Sequence, residues 1–291
     1  MNFRMASLLA SVMLVLPVSV YASGTDLLIQ MNNALQRMNY SGTLVHIKGN
    51  DINTLRVEHE VVNGVESETI TSLNAVNDSV SSKSQDFSFS MMPDSIEQMK
   101  KVYSFDVGAI KKVAKRDCQT VVARPKDTMR YLQKYCIDKQ SGLPLAYSLI
   151  DNKHQTVERF TFTDVRITAA EIAAADSVKI KPQVWTPGKL PSGEWSITEL
   201  PKGFHFGKQL KSEVKDGPYT EHFVLTDGLS SISVFISPIT TAQQKSTSSL
   251  SSGALNVLTS QKNNHRITLV GEVPRDTMQS ILSNLKYHGD S

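Results

Sequence analysis

The chain has 291 residues with 31 Lys and Arg against 28 Asp and Glu, a formal charge of +3. Such a length suits two domains rather than one. The near-balanced, interspersed charge gives no nucleic-acid signature, and the only two cysteines, an even pair, favour a disulfide over a metal site or a redox couple.

The first residues read as an export signal. Arg4 supplies a positive start, Ala6 to Leu16 an apolar run, and Val20-Tyr21-Ala22 a cleavage site of small-x-small type. Residues 1–22 are therefore expected to be removed, and the periplasm is the expected compartment. Leu28, Met31, Leu35 and Met38 then recur at helical spacing behind the N-cap candidates Ser23 and Thr25, predicting a helix over Asp26 to Met38. After Gly42 the period becomes that of a strand: Thr43, Val45 and Ile47 point one way, Leu44 and His46 the other. This order, helix then glycine then strand, is the reverse of what a phosphate-cradling loop requires.

Thr54 to Val62 and Val65 to Leu73 flank Asn63-Gly64, a pair suited to the type I′ turn. That register sets Val57 opposite Ile70 and His59 opposite Glu68, which makes His59 a cross-strand polar partner rather than a catalytic base. The Ser- and Asn-rich stretch Asn74 to Met99 reads as a connection. Four strands follow, Cys118 to Arg124, Met129 to Ile137, Leu145 to Ile150 and Gln155 to Val165, punctuated by Pro, Gly, Asn and Asp. They form an antiparallel meander. A turn at Pro125 to Thr128 sets Cys118 and Cys136 within one residue of register, so an exported chain is expected to join them. Val45, Ile47, Leu55, Val57, Ile70, Phe160 and Phe162 are candidates to line an apolar, lipid-accepting cavity of this sheet; an ordinary closed core is the competing reading.

Lys181 to Gly193 holds three prolines and two glycines, a density that breaks helix and strand alike, and reads as a linker. The expected division is thus 23–180, 181–193 and 194–291. Beyond the linker lie strand candidates near His222 to Leu225, Ser231 to Ile239, Ala254 to Ser260 and His265 to Val273. Pro274 to Leu285 is expected to cover them as one helix, and Gln243 to Ser252 reads as a loop. The seven histidines lack metal-ligand spacing. Ser230-Ser231 follows Asp227-Gly228 without a nucleophile elbow. No enzyme, cofactor or metal site is expected.

Several segments in order carry a resemblance: SGTLVHIKG from Ser41, LRVEHEVVNG from Leu55, VYSFDVGAIKKVAKRDCQTVV from Val102 and RYLQKYCIDKQSGLPLAYSLID from Arg130. VERFTFTDV, WSITELPKGF, DGLSSISVFI and HRITLVGEVPRDTMQSIL continue it. Together they resemble the RseB/MucB family of periplasmic regulators of the sigma-E envelope stress response. Val113-Ala114-Lys115-Arg116 departs from it, standing where the family has a Val-Ala-Gly-Arg-like step, and Asn74 to Ser90 is shorter than its counterpart. The resemblance implies an α+β, mainly antiparallel fold: an N-terminal domain similar to LolA and LolB, an unclosed β-barrel with helices on its concave side, and a smaller C-terminal α+β domain. It also implies a partner, the periplasmic domain of an anti-sigma factor of RseA/MucA type, shielded from the protease DegS and released by lipopolysaccharide or another acyl lipid. The competing function is a periplasmic lipid or lipoprotein carrier of LolA/LolB type. The oligomeric state, a homo-oligomer included, is left open.

Overall fold

In the computed structural model, the described residues are 22–62, 65–74, 96–169, 194–212, 220–239 and 248–289. The export signal up to residue 21, the Asn63-Gly64 turn, most of the 74–99 connection and the 181–193 linker lie outside them.

Helix α1 spans Gly24–Arg37. It begins where the sequence offers a reciprocal cap: the Asp26 amide donates to Ser23 Oγ at 3.2 Å, and the Ser23 amide to Asp26 Oδ2 at 3.0 Å. Asp26 in the first turn and Arg37 in the last complement the helix dipole. Its buried stripe, Leu28, Met31 and Leu35, is the one the spacing predicted, but Met38 already opens the next strand.

Eight strands follow: β1 Met38–Lys48, β2 Asp51–Val62, β3 Val65–Ser72, β4 Tyr103–Val113, β5 Arg116–Pro125, β6 Leu132–Asp138, β7 Pro144–Ile150 and β8 Thr156–Ala169, with a short helix α2, Ile96–Val102, before β4. They form one antiparallel sheet in the order β3-β2-β1-β8-β7-β6-β5-β4. Edges β3 and β4 do not pair with each other, so the barrel is unclosed. Every consecutive pair of strands in this order is a neighbouring hairpin except β3 and β4, whose connection joins the two opposite edges of the sheet and so brings β8 beside β1. The predicted register of β2 and β3 holds, with Val57 opposite Ile70 and His59 opposite Glu68. The His59 ring bonds the Met38 carbonyl at 2.9 Å and stacks on Tyr40 at 4.7 Å, while Tyr40 donates to Glu68.

At Thr43/Leu44 the pairing of β1 with β8 shifts register. Gly42 sits beside that bulge, where a Cβ would run into the Asp164 carbonyl. The glycine of the helix-to-strand junction therefore serves close strand approach.

One face of the sheet carries Tyr40, Leu44, Val57, Tyr135, Phe160 and Phe162, and α1 and α2 pack their apolar stripes into the same core through Leu28, Met31, Met99 and Val102. Leu55 and Ile70 pack against its margin. Val45 and Ile47 do not share this face. Val45 pairs with Thr54 and Thr161, whereas Leu44 pairs with Leu55 and Phe162; with a strand period of two, Val45 and Ile47 point to the opposite side. The inner-face candidates reduce to Leu55, Val57, Ile70, Phe160 and Phe162.

Cys118 and Cys136 form a disulfide with a Cα–Cα distance of 5.2 Å. The true register pairs Cys118 with Asp138 and Cys136 with Thr120, so the bridge is diagonal, two residues from direct opposition. Thiol labelling of unreduced, denatured protein should find no free cysteine, and reduction should lower stability by about 3 kcal/mol; two labelled thiols would refute the bridge.

The remaining strands are β9 Trp195–Ile197, β10 His205–Ser212, β11 Thr220–Thr226, β12 Ser231–Pro238, β13 Ser248–Ser252, β14 Leu255–Lys262, β15 His265–Gly271 and β16 Leu285–Tyr287, with helix α3, Arg275–Asn284, before β16. Six of them form a sheet in the order β10-β11-β12-β15-β14-β13, and β16 pairs with β9. Alternate residues Phe223, Leu225, Ile232, Val234, Ile267 and Leu269 face Met278 and Ile281 of α3, as the expected helix-covered sheet requires. The expected loop over Gln243 to Ser252 is corrected in part, since 248–252 pair with β14 as an exposed edge strand.

Candidate functional site

The second sheet closes onto one end of the first through a buried polar junction. The β11–β12 turn, Asp227 to Ser230, carries most of it. Asp227 Oδ1 accepts from the amides of Leu229 and Ser230 at 2.9 and 2.8 Å, which folds the turn and aims the other carboxylate oxygen at the first sheet. There Oδ2 takes Arg130 Nε at 2.5 Å and the Tyr103 hydroxyl at 2.9 Å. Both side chains of the Arg130–Asp227 pair are fully buried. The guanidinium also donates to Asp127 and the Lys202 carbonyl, and its centre lies 4.8 Å from the Phe204 ring. Burial, then the charge of Asp227, push the Tyr103 hydroxyl well above its ordinary pKa, so it stays a donor.

Beside this latch, Leu229 packs against the first core. Gln133 Nε2 donates to the Leu229 carbonyl at 3.2 Å and to Ser230 Oγ at 3.1 Å, and its carbonyl accepts from the inner-face hydroxyls of Tyr135 and Tyr147. The turn thus meets the aromatic row Tyr135, Tyr147, Phe160, Phe162, whose successive rings lie 4.9, 5.6 and 6.4 Å apart. Ala254 joins Tyr131 and Leu149 in a small apolar cluster bridging the two sheets, and Asn256 Nδ2 donates to the Tyr131 hydroxyl at 3.1 Å.

A second charged group lies next to that cluster. Glu158 on β8 holds His46 of β1 at 2.7 Å and accepts from the Ala254 amide at 3.1 Å. Glu272, just past β15, faces Glu158, Lys48 and His46; burial first, and the Glu158 charge second, raise its pKa to about 7, against the opposing pull of Lys48 and His46. In the unfolded chain the same carboxyl titrates near 4.5. Above about pH 7 it is charged in both states and its burial weakens the fold in full; below about 4.5 it is neutral in both and the penalty is gone. Stability conferred by this site should therefore rise as pH falls from about 7 to 4.5, by on the order of 2 kcal/mol. Glu272→Gln should flatten that slope in urea midpoints measured from pH 8 to 5; an unchanged slope would assign it elsewhere.

None of the junction residues was singled out as a site by spacing. Asp227-Gly228 draws attention only as a failed hydrolase elbow, and its partner Arg130 lies 97 residues away. Among the described residues no cluster of three or more His, Cys, Asp or Glu could hold a metal ion, and no helix is long and apolar enough to cross a membrane.

These features define a class: a β-rich protein in which an open antiparallel half-barrel, helices against its inner face, is latched to a smaller sheet-and-helix unit. The family models for the MucB/RseB N-terminal domain match residues 23–91 and 79–187, and that for the MucB/RseB C-terminal domain residues 189–286. The chain belongs to the MucB/RseB family. It is 24% identical to the sigma-E factor regulatory protein RseB of Salmonella typhimurium, over 98% of this chain and 97% of that protein. Against the sigma factor AlgU regulatory protein MucB of Pseudomonas aeruginosa the identity is 27%, over 96% and 95%. The Pseudomonas aeruginosa MucB solved with MucA has the same fold, at a TM-score of 0.66 and 23% identity, covering 92% of this chain and 99% of that one.

Proposed function

We propose that the chain is a periplasmic, non-catalytic regulator that binds the periplasmic domain of a MucA/RseA-type anti-sigma factor, protects it from proteolysis and so represses the sigma-E response. The observation that carries this reading is the family match along both parts of the chain. Support comes from relatives of nearly equal length that are named sigma-factor regulators and from a relative solved with MucA(peri).

The division into 23–180, a linker 181–193 and 194–291 belongs to this proposal, as does release by lipopolysaccharide or another acyl lipid at the inner face. Leu55, Val57, Ile70, Phe160 and Phe162 are its contact candidates. A plain carrier is the weaker reading, because the Asp227–Ser230 turn covers one end of that face, where a carrier's cargo would need a free mouth. The test incubates the cognate anti-sigma periplasmic domain with its site-1 protease, with and without the full mature chain. Binding together with slowed cleavage supports the regulator, and adding acyl lipid should restore cleavage. Saturable acyl-lipid binding without anti-sigma binding would favour the carrier.

A further inference from the structure

We infer that the free edge of β4 is a docking strand for an extended, acidic peptide, with the lysines at its far end reading the peptide's charge. This rests on the function proposed above and places the partner segment on a definite edge.

Strand β4 is outermost in its sheet and pairs only with β5 among the described residues. An edge strand presents a row of backbone N–H and C=O groups that a further strand can pair with. Natural edges are usually shortened, covered or bulged; this one is exposed from Asp106 to Lys112 and holds Val107 and Ile110 at 44% and 54% exposure, while its pairing with β5 shifts register between those two residues and the Gly108 carbonyl already accepts from Gln119 Nε2. Apolar side chains left in water along an open edge offer contacts to the side chains of an added strand.

The edge leads into a cleft of ≈ 480 Å³ between the β4–β5 and β6–β7 turns, lined by Lys112, Lys115, Arg116 and Lys139 together with Asp117 and Asp138. The two acids do not neutralise it. Asp138 is held in a fork by Arg116 at 2.9 and 2.8 Å. Burial alone would raise its pKa, yet the bonds from Arg116 and Ser141 keep it below the ordinary carboxylate range, so that pair is fixed and internally balanced. Asp117 lies 3.8 Å from Lys112. Lys111, Lys115 and Lys139 carry no ion pair among the described residues. The Cys118–Cys136 bridge ties β5 to β6 directly beneath the cleft and fixes the spacing of its two turns. Lys115 reaches the cleft from a backbone at φ 63°, next to Ala114 at φ 48°, a conformation that glycine adopts more cheaply. The turn thus carries a cation at a position where the backbone favours glycine.

Lysines on an edge ordinarily deter strand pairing. Here they deter a second copy of this basic strand, by like charge, while favouring a partner strand that brings carboxylates to Lys112, Lys115 and Lys139. The occupant that fits is therefore an extended segment with alternating apolar and acidic residues, the chemistry required of the anti-sigma periplasmic domain at this edge.

Hydrogen exchange on the full mature chain, with and without the purified cognate anti-sigma periplasmic domain, tests it. Within 105–113, the amides that face away from β5 should exchange slowly only in the complex, the others being bonded to β5 already. The double variant Lys112→Glu/Lys115→Glu, and separately Ile110→Lys, should weaken binding by about tenfold or more, with urea midpoints near that of the parent chain. Tight binding without protection of 105–113 overturns the inference while leaving the proposed function standing. Protection of those outward-facing amides already present in the isolated chain at low concentration, showing that another segment of the chain covers the edge, also overturns it. So does protection that appears only as chain concentration rises, which identifies a second copy. Failure of the parent chain to bind at all overturns the proposed function and this inference with it.

Discussion

Replacing Asp227 by alanine should lower stability by roughly 3–5 kcal/mol, because it leaves the Arg130 guanidinium buried with its main charge partner gone. The loss does not measure the worth of the ion pair. Bringing both ions out of water was itself costly, and most of the penalty is that of an uncompensated charge. Two further changes separate these contributions. Tyr103→Phe removes one hydroxyl donor to the same carboxylate and should cost only about 1 kcal/mol. Arg130→Met together with Asp227→Leu removes both charges and should recover most of the loss. The measurement is the urea midpoint of each variant, with limited proteolysis at Lys202, whose carbonyl the guanidinium holds. If Asp227→Ala and the double replacement are equally unstable, the damage comes from lost shape at the turn, and the charge argument fails. A total stability of about 5–15 kcal/mol for ordinary proteins makes the single substitution a severe one.

The latch also marks where sequence reasoning stops. Local periodicity and turn chemistry are short-range, and they recovered what short-range physics determines: the Ser23 cap and stripe of α1, the register of β2 with β3, the meander from β5 to β8, and the helix after Pro274. Strand β4 escaped because its exposed middle gives neither face a reason to alternate. Helix α2 has only seven residues, too few for a periodic stripe to register. Strand β13, Ser-Ser-Leu-Ser-Ser, is exposed at every position and reads as a loop. The disulfide was legible from compartment and turn, whereas its diagonal geometry needed the actual β5–β6 register. The site is least legible of all. Arg130 with Asp227, Gln133 with Leu229 and Glu158 with Ala254 meet only after two sheets have formed and docked, and no spacing in one chain announces that. The ordered set of family-like segments supplied what local patterns lacked.

Phe160→Ala should be the other large loss, about 3–5 kcal/mol, and its contrast with Ile47→Ala decides which face of the half-barrel is its interior. Phe160 is 5% exposed and lies between Tyr147 and Phe162, whose ring centroids are 5.6 and 6.4 Å away. Truncating it removes a large apolar surface and the edge-on ring contact, and rigid strands on both sides cannot collapse to fill the void. Ile47 belongs to the neighbouring strand β1, but its side chain points to the other side of the sheet and is only half-buried. Its truncation should cost about 1 kcal/mol. Urea midpoints of the two variants give the comparison. Equal losses would mean that both faces are covered alike, removing the basis for an inner, helix-lined face. A large loss confined to Phe160 would place the packed aromatic row inside the half-barrel. An acyl chain could then reach it only by displacing α1, α2 or the Asp227–Ser230 turn, so that lipid entry would compete directly with the latch that holds the two sheets together.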